Sequence, residues 1–320
     1  MKSRIYYLLL FFIQIALSFS VAGQNPYSDI DSFVVRLGAL SNANVATITE
    51  KLTLPYSEKE KKARAIFSWI ANNIAMDAKA MRALDQKNTE PEKVISSRKT
   101  TPLGYSLLFQ EMCSQASIRC LSVDGFVKIN TADFEETYEA PNFSWNVVQL
   151  GNSPSEWFYV DCAQAAGRLD SKKNIFTAKY YPQYFFSDKT CFNLEHFPDN
   201  MAWYLGEGML NVKSFHSLPI IQPAAYIYLI NRPDPLNNTI NTKPGIPCNF
   251  RFKSRNLPEN PTVTVIIGDG AKKQPPQRVN IQTSGNEISF QFIFKKEDSY
   301  PLTICINEMP VLTYFANISE

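Results

Sequence analysis

Histidine is scarce in this chain: two residues, His196 and His216, among 320. That shortage restricts general-base chemistry near neutral pH, where imidazole is the usual proton carrier. Neither histidine stands beside a closely spaced cysteine pair, so no zinc site and no other metal site is expected. A Gly-rich phosphate loop is also missing, and Gly268-Asp269-Gly270 reads as a hairpin turn. No nucleotide or organic cofactor is therefore expected. Long basic runs are absent too. Lys2 and Arg4 account for two of the 32 basic residues, which leaves 30 against 30 acidic residues in the rest of the chain. Such a neutral balance lacks the electrostatic footprint of a nucleic-acid binder, and no nucleic-acid partner is expected. Cysteine does not occur before Cys113, so no lipid-attachment thiol lies near the start.

What is there begins with an export signal over residues 1–23. Lys2 and Arg4 give a basic start, Ile5 to Ala16 an apolar stretch, and Ser20-Val21-Ala22 a small-residue cleavage pattern. The apolar stretch is short for a membrane span and contains Gln14. The mature chain is thus expected to be exported, periplasmic or extracellular, without an integral span. With 45% hydrophobic and 13% aromatic residues it can build cores for two domains.

Ser57-Glu58-Lys59-Glu60 reads as a capping box opening an amphipathic helix. Ala63, Ile66, Phe67, Ile70 and Ile74 form its apolar face, with Lys59, Lys61, Lys62 and Arg64 toward water. A short helix is expected from Pro91 to Ser97. Another is expected behind Thr101, a candidate cap, with Pro102 at the first helical position, where proline is tolerated. After Cys113 the pattern turns to strands: SVDGFVKI from Ser122, WNVVQL from Trp145 and WFYVD from Trp157. Beyond about Asn231 prolines punctuate the chain and helical periodicity stops. Short β-rich runs follow, and in ISFQFIF the residues Ile288, Phe290, Phe292 and Phe294 alternate onto one face. Helices first and strands later imply an α+β fold followed by an all-β sandwich. The expected layout is a first domain over 24–220, a linker over 221–240 and a sandwich over 241–320.

Several segments, in order, resemble one family. KKARAIFSWIANNIAMDAKA is similar to the leading helix of transglutaminase-like domains, especially the kyphoscoliosis-peptidase-like branch. VISSRKTTPLGYSLLFQEMC, CLSVDGFVKI, FSWNVVQL, EWFYVDCAQAAG and YFFSDKTCFNLEHFPDNMAWYL continue the resemblance. It implies a papain-like fold, with a helix packed on an antiparallel sheet, and acyl transfer or hydrolysis through a Cys-His-Asp triad. The family writes its nucleophile as Cys-any-Gly-Tyr. Gly104 and Tyr105 match, which places the nucleophile position on Pro102. The family's base begins His-any-Trp-Asn. Trp145 and Asn146 match, which places the base position on Phe143. The acid survives as Asp161, in VDCAQ rather than the family's Asp-any-Thr-Trp.

Proline and phenylalanine supply neither a nucleophile nor a base, so the implied triad is degenerate. Cys113 lies eleven residues past Pro102, about 16 Å along a helix, and Cys162 alternates away from Asp161 on a strand. Ser106 has no base beside it. His196 is expected to be structural, and His216 has no partner that can be named. Asp161 itself is expected to cap or tie a turn. Tyr105 and Trp145 are the residues that could line the former cleft, with core packing as their alternative.

The six cysteines are expected to staple the exported chain. Cys113 with Cys120, Cys162 with Cys191, and Cys248 with Cys305 are the pairings considered. The functional expectation is a noncatalytic binder of a peptide, polysaccharide or protein, acting through the former cleft or the sandwich. The alternatives are a cysteine hydrolase or transamidase with a relocated nucleophile, and an assembly protein using the sandwich surface.

Overall fold

The computed structural model describes residues 25–319 apart from 84, 86, 129–139, 154–155, 171–172 and 209–210. The export signal expected over 1–23 lies outside the described residues. Helices α1 (Ser28–Leu37) and α2 (Val45–Thr53) pack against α3 (Lys59–Asn73). Helix α3 is buried along most of its circumference, because its small and apolar residues leave no room for a wet face beyond the first turn. Two sequence expectations change here. The cap of α3 is Glu58, whose side chain makes no capping bond to a backbone N–H; its Oε1 accepts from Lys61 Nζ at 2.8 Å and its Oε2 from Ser57 Oγ at 3.0 Å. Arg64 does not face water; it is 1% exposed. Its guanidinium reaches Asp31 through Nε (2.9 Å) and Nη2 (2.6 Å), and the Tyr27, Phe67, Tyr180 and Phe185 rings surround it. A bidentate carboxylate and flat aromatic faces are what allow a guanidinium to be buried.

Strand β1 (Ala75–Met76), helices α4 (Ala78–Ala83) and α5 (Pro91–Ser97) and strand β2 (Lys99–Thr100) lead to α6 (Pro102–Gln115). The parallel pairing of β1 with β2 draws the chain before α6 against the end of α3. Thr101 occupies the cap position of α6 but makes no capping bond with its side chain. Gly104 is required at the third residue of α6: a Cβ there would lie 1.9 Å from Thr100 Oγ1.

Helix α6 packs on β3 (Arg119–Val127) and β4 (Phe143–Gln149), which pair antiparallel with each other and with β5 (Trp157–Val160). Asn146 Nδ2 donates to the Ser106 carbonyl at 3.0 Å, and the Ser106 and Ser122 hydroxyls meet at 2.7 Å. Both contacts join helix to sheet. Helix α7 (Cys162–Ala166), the β6–β7 hairpin (Gly167–Asp170 and Ile175–Ala178) and α8 (Lys189–Glu195) follow. The chain then returns as β8 (His196–Pro198), so the sheet order is β5-β4-β3-β8.

After α9 (Val212–His216), the stretch expected as a linker is structured. Strand β9 (Ile220–Ile221) pairs with β18 (Met309–Ile318), and α10 (Pro223–Tyr228) precedes β10 (Ile230–Asp234) and β11 (Thr239–Thr242). Strand β10 pairs with β12 (Pro247–Ser254), and β11 pairs parallel with β18. The prolines that suggested a linker sit on and beside an edge strand, where a missing N–H leaves no ladder bond unmade. The sandwich therefore begins near residue 220.

Its remaining strands are β13 (Val263–Ile267), β14 (Gln277–Arg278), β15 (Ile281–Ser284), β16 (Glu287–Ile293) and β17 (Asp298–Ile306). One sheet runs β10-β12-β16-β15, the other β11-β18-β17-β13-β14. The alternation in ISFQFIF holds, with Ile288, Phe290, Phe292 and Phe294 all buried. Phe250 stacks on Phe290 in its own sheet and meets Tyr314 of the other edge-on at 5.6 Å, which closes the core. RVNIQ is the exception: it crosses from one sheet to the other instead of forming one strand.

Candidate functional site

The three positions that the resemblance assigns to a triad sit where α6, β4 and the end of β5 meet. Pro102 opens α6 and is buried; Phe143 starts β4 at 4% exposure; Asp161 follows β5 and is fully buried. Asp161 caps α7, its Oδ1 accepting from Gln164 N at 2.8 Å. Its other oxygen takes the residue that the sequence reading set aside. His196 Nε2 lies 2.9 Å from Asp161 Oδ2, with both side chains sealed from solvent. A carboxylate in its ionised form only accepts, so a hydrogen bond to it here requires the imidazole proton on Nε2.

Aromatic rings hold that imidazole. Phe192 stacks on it with centroids 3.7 Å apart at 10°, Trp145 meets it edge-on at 5.1 Å, and Phe143 does so at 6.3 Å. Gly125 makes room for the indole of Trp145, since a Cβ there would lie 2.4 Å from its Cη2 and 2.3 Å from the Phe197 carbonyl oxygen. Beyond the imidazole, Nδ1 lies 3.8 Å from Glu195 Oε2. Glu195 accepts from Tyr184 (3.2 Å to each oxygen), Tyr226 (2.5 Å) and Gln164 Nε2 (3.3 Å). Arg168 closes the network through Tyr184 (2.7 Å) and Gln164 Oε1 (2.6 Å). Burial raises the Glu195 carboxyl above the usual range, against the opposing pull of His196 and Arg168.

The residues expected near a cleft are in the core. Tyr105 and Trp145 are each 1% exposed, and Tyr105 spends its hydroxyl on the Ile74 carbonyl at 2.7 Å. Ser106 Oγ reaches the Leu103 carbonyl (3.0 Å) as well as Ser122. Cys162 adjoins Asp161, but burial, followed by that negative charge, pushes its thiol well up. Burial does the same to Cys113 and Cys191. Thiolate is the reactive form, so these three thiols are set against nucleophilic attack.

The expected disulfides are corrected: all six cysteines are free thiols. Cys113, Cys120 and Cys162 are close enough to act on one another's charge, and Cys191 is not among them. Cys305 stands opposite Thr264 inside its own sheet, while Cys248 lies in the facing sheet next to the Ile246 carbonyl. Among the described residues no cluster of side chains suits a metal ion, and no helix is long and apolar enough to cross a membrane.

His196 could have been found earlier. It is one of two histidines, and it follows Glu195 directly after a helix capped by Asp188. Only the pairing of β8 with β3, however, carries it to Asp161.

A helix laid on an antiparallel sheet, with an acid just past the third strand, defines a papain-like domain. Residues 46–162 match the model of the transglutaminase-like superfamily, and the chain is similar to the kyphoscoliosis peptidases of that superfamily. Kyphoscoliosis peptidase of Mus musculus is 29% identical over 171 residues, 53% of this chain and 25% of that protein. The Homo sapiens protein of that name is 29% identical over 49% of this chain and 23% of its own length. The Lim and transglutaminase domain protein ltd-1 of Caenorhabditis elegans is 26% identical over 68% of this chain and 31% of its own. The chain thus spans about a quarter to a third of the length of these relatives.

Proposed function

We propose that this protein is a noncatalytic member of the transglutaminase-like superfamily, exported from the cell, that works by binding a peptide, wall polymer or protein partner. One observation carries the reading: the surviving acid is already spent. Asp161 holds the Gln164 amide with one oxygen and His196 with the other, in a space closed by Phe143, Trp145 and Phe192. A triad acid must instead orient a base that faces the nucleophile. Here the base position is an aromatic ring that packs the imidazole in, and the nucleophile position is a proline that keeps the helix start while offering no side-chain donor.

The competing reading, a hydrolase or transamidase with a relocated nucleophile, draws on the same Asp161–His196 pair. It needs a thiol or hydroxyl of lowered pKa on the free side of that imidazole. The free side faces Glu195, a carboxylate.

The test is turnover by the purified mature chain: amine incorporation into a glutamine-bearing protein, and hydrolysis of unstructured peptides. The expected result is no rate above a Pro102→Gly, His196→Phe double variant. A rate abolished by His196→Phe alone refutes the noncatalytic reading. Recovery of the mature protein beginning near residue 24 in an extracytoplasmic fraction tests export; an intact start in the cytoplasm refutes it.

A further inference from the structure

The Asp161–His196 contact extends, through Glu195, to the joint where the sandwich meets the first domain. Helix α8 is gripped at both ends by residues from the sandwich side. At its start Arg255, which follows β12, meets Asp188 at 2.5 Å. At its end Tyr226 of α10 donates to Glu195 at 2.5 Å. Helix α10 closely follows β9, and β9 pairs with β18, so Tyr226 belongs to the sandwich side of the joint.

The imidazole of His196 stands between two carboxylates. Nε2 lies 2.9 Å from Asp161 Oδ2 and Nδ1 lies 3.8 Å from Glu195 Oε2, with Nδ1 making no hydrogen bond among the described residues. All three side chains are buried, and Glu195 is the most exposed of them at 3%. A neutral imidazole has one N–H, so it serves one carboxylate and turns a lone pair on the other. One further proton, on Nδ1 or on Glu195, converts that repulsion into a hydrogen bond once the pair closes by about 1 Å. The charge count agrees: Arg168, held in the same network, balances one buried carboxylate, and the extra proton balances the second. The neighbouring hydroxyls and thiols do not exchange it. Burial pushes Tyr105, Tyr184, Tyr226, Cys162 and Cys191 well above their ordinary values, which keeps them neutral. Burial raises the Glu195 carboxyl as well, in the direction of a held proton.

We propose that Asp161, His196 and Glu195 share one proton that acts as a pH-sensitive latch on the joint between the first domain and the sandwich. With the proton in place Glu195 stays between His196 and Tyr226, and α8 is gripped at both ends. As pH rises the proton passes to solvent, and a lone pair of His196 faces an ionised Glu195 in a closed space. Glu195 then turns outward and its bond with Tyr226 breaks. Of the two grips on α8, only Arg255 with Asp188 remains. The three groups titrate as a unit, because the proton of each depends on the other two. The latch acts on the joint, whether or not either domain holds a ligand.

Hydrogen exchange of the mature chain, read by mass spectrometry from about pH 4 to about pH 9, spans the ordinary carboxylate and imidazole ranges and tests the latch. Opening that releases one proton becomes up to tenfold more frequent per pH unit, beyond the intrinsic rise of amide exchange. This excess is expected in peptides over 189–198 and 223–228, and not in those over α6 or β17. Glu195→Gln accepts from Tyr226 and donates to Nδ1 without binding a proton, so it should abolish the excess. Tyr226→Phe removes the grip but not the proton, and should speed exchange over 223–228 at the acid end. Nitrogen-15 spectra of the histidines and carbon-13 spectra of the Glu195 carboxyl, taken on the unaltered chain, should show the extra proton there and its loss at the pH where exchange quickens. An excess shared equally by α6 and β17 reports unfolding of the whole chain and overturns the latch. An equal excess in Glu195→Gln overturns it too, as do spectra in which Nδ1 and the Glu195 carboxyl both lack a proton at the acid end.

Discussion

Replacing Asp161 by alanine tests the central contact directly. The carboxylate is fully buried and accepts two bonds, one capping α7 and one from His196. Loss of a helix cap costs about 1 kcal/mol. Removing one member of a buried pair costs about 3–5 kcal/mol, because the partner is left uncompensated. The two overlap here, since a single carboxylate does both, so the expected total is about 3–5 kcal/mol. For a chain of this size that corresponds to a fall in Tm of about 6–10 °C. Urea unfolding followed by circular dichroism gives the energy, provided that the slope with denaturant is unchanged. His196→Phe supplies the second arm of a double-mutant cycle: a phenyl ring keeps the stack on Phe192 but loses the bond to Asp161. The double variant removes both polar partners and is expected to be more stable than the sum of the single losses by about 1.5 kcal/mol or more. Additivity within about 0.5 kcal/mol, or a cost below about 1 kcal/mol for Asp161→Ala, refutes the assigned contact.

Arg64→Ala leaves Asp31, which is partly solvated, facing the vacated aromatic pocket, and should cost about 2–4 kcal/mol in the same assay; a loss within 0.5 kcal/mol, the ordinary surface value, contradicts its buried placement. Glu195 has a raised carboxyl pKa in the folded state, so between its unfolded and folded values the native protein binds more proton than the unfolded chain. Its contribution therefore favours folding at the acid end and is lost as pH rises through the folded value. Stability of Glu195→Gln relative to the unaltered protein should increase from pH 4 upward, and a difference that shrinks across that range refutes the assignment. Thiol labelling of the folded protein should modify Cys248 first, because it alone is not buried, while the other five wait for unfolding. Native labelling of Cys162 or Cys191, or a mapped disulfide, contradicts the structure. Pro102→Cys with Phe143→His should leave turnover at background, since Asp161 stays bound to His196; a hydrolytic or transamidating rate from that variant shows that the carboxylate was free.

Much of this molecule is legible in its residues because local patterns follow from backbone geometry. Proline at the first position of α6, β-branched and aromatic runs for β3 to β5, and alternating phenylalanines in β16 each carry their own period. The resemblance carried by Gly104-Tyr105 and Trp145-Asn146 implies that residues 102 and 143 stand at the family's nucleophile and base positions, where proline and phenylalanine can neither attack nor move a proton. Partnerships between distant residues could not be read in this way. Arg64 sits at a position that a helical wheel turns to solvent, yet Asp31 and four aromatic rings, three of them far along the chain, close over it. Prolines near residue 233 read as a linker because edge and interior strands look alike until the sheet order is known. Asp161 and His196 lie 35 residues apart, and only the return of β8 alongside β3 makes them a pair. The sequence by itself determined which side chains stand at residues 102 and 143, because a functional group is a property of one residue. Tertiary structure decided what Asp161 does, because a hydrogen bond belongs to two.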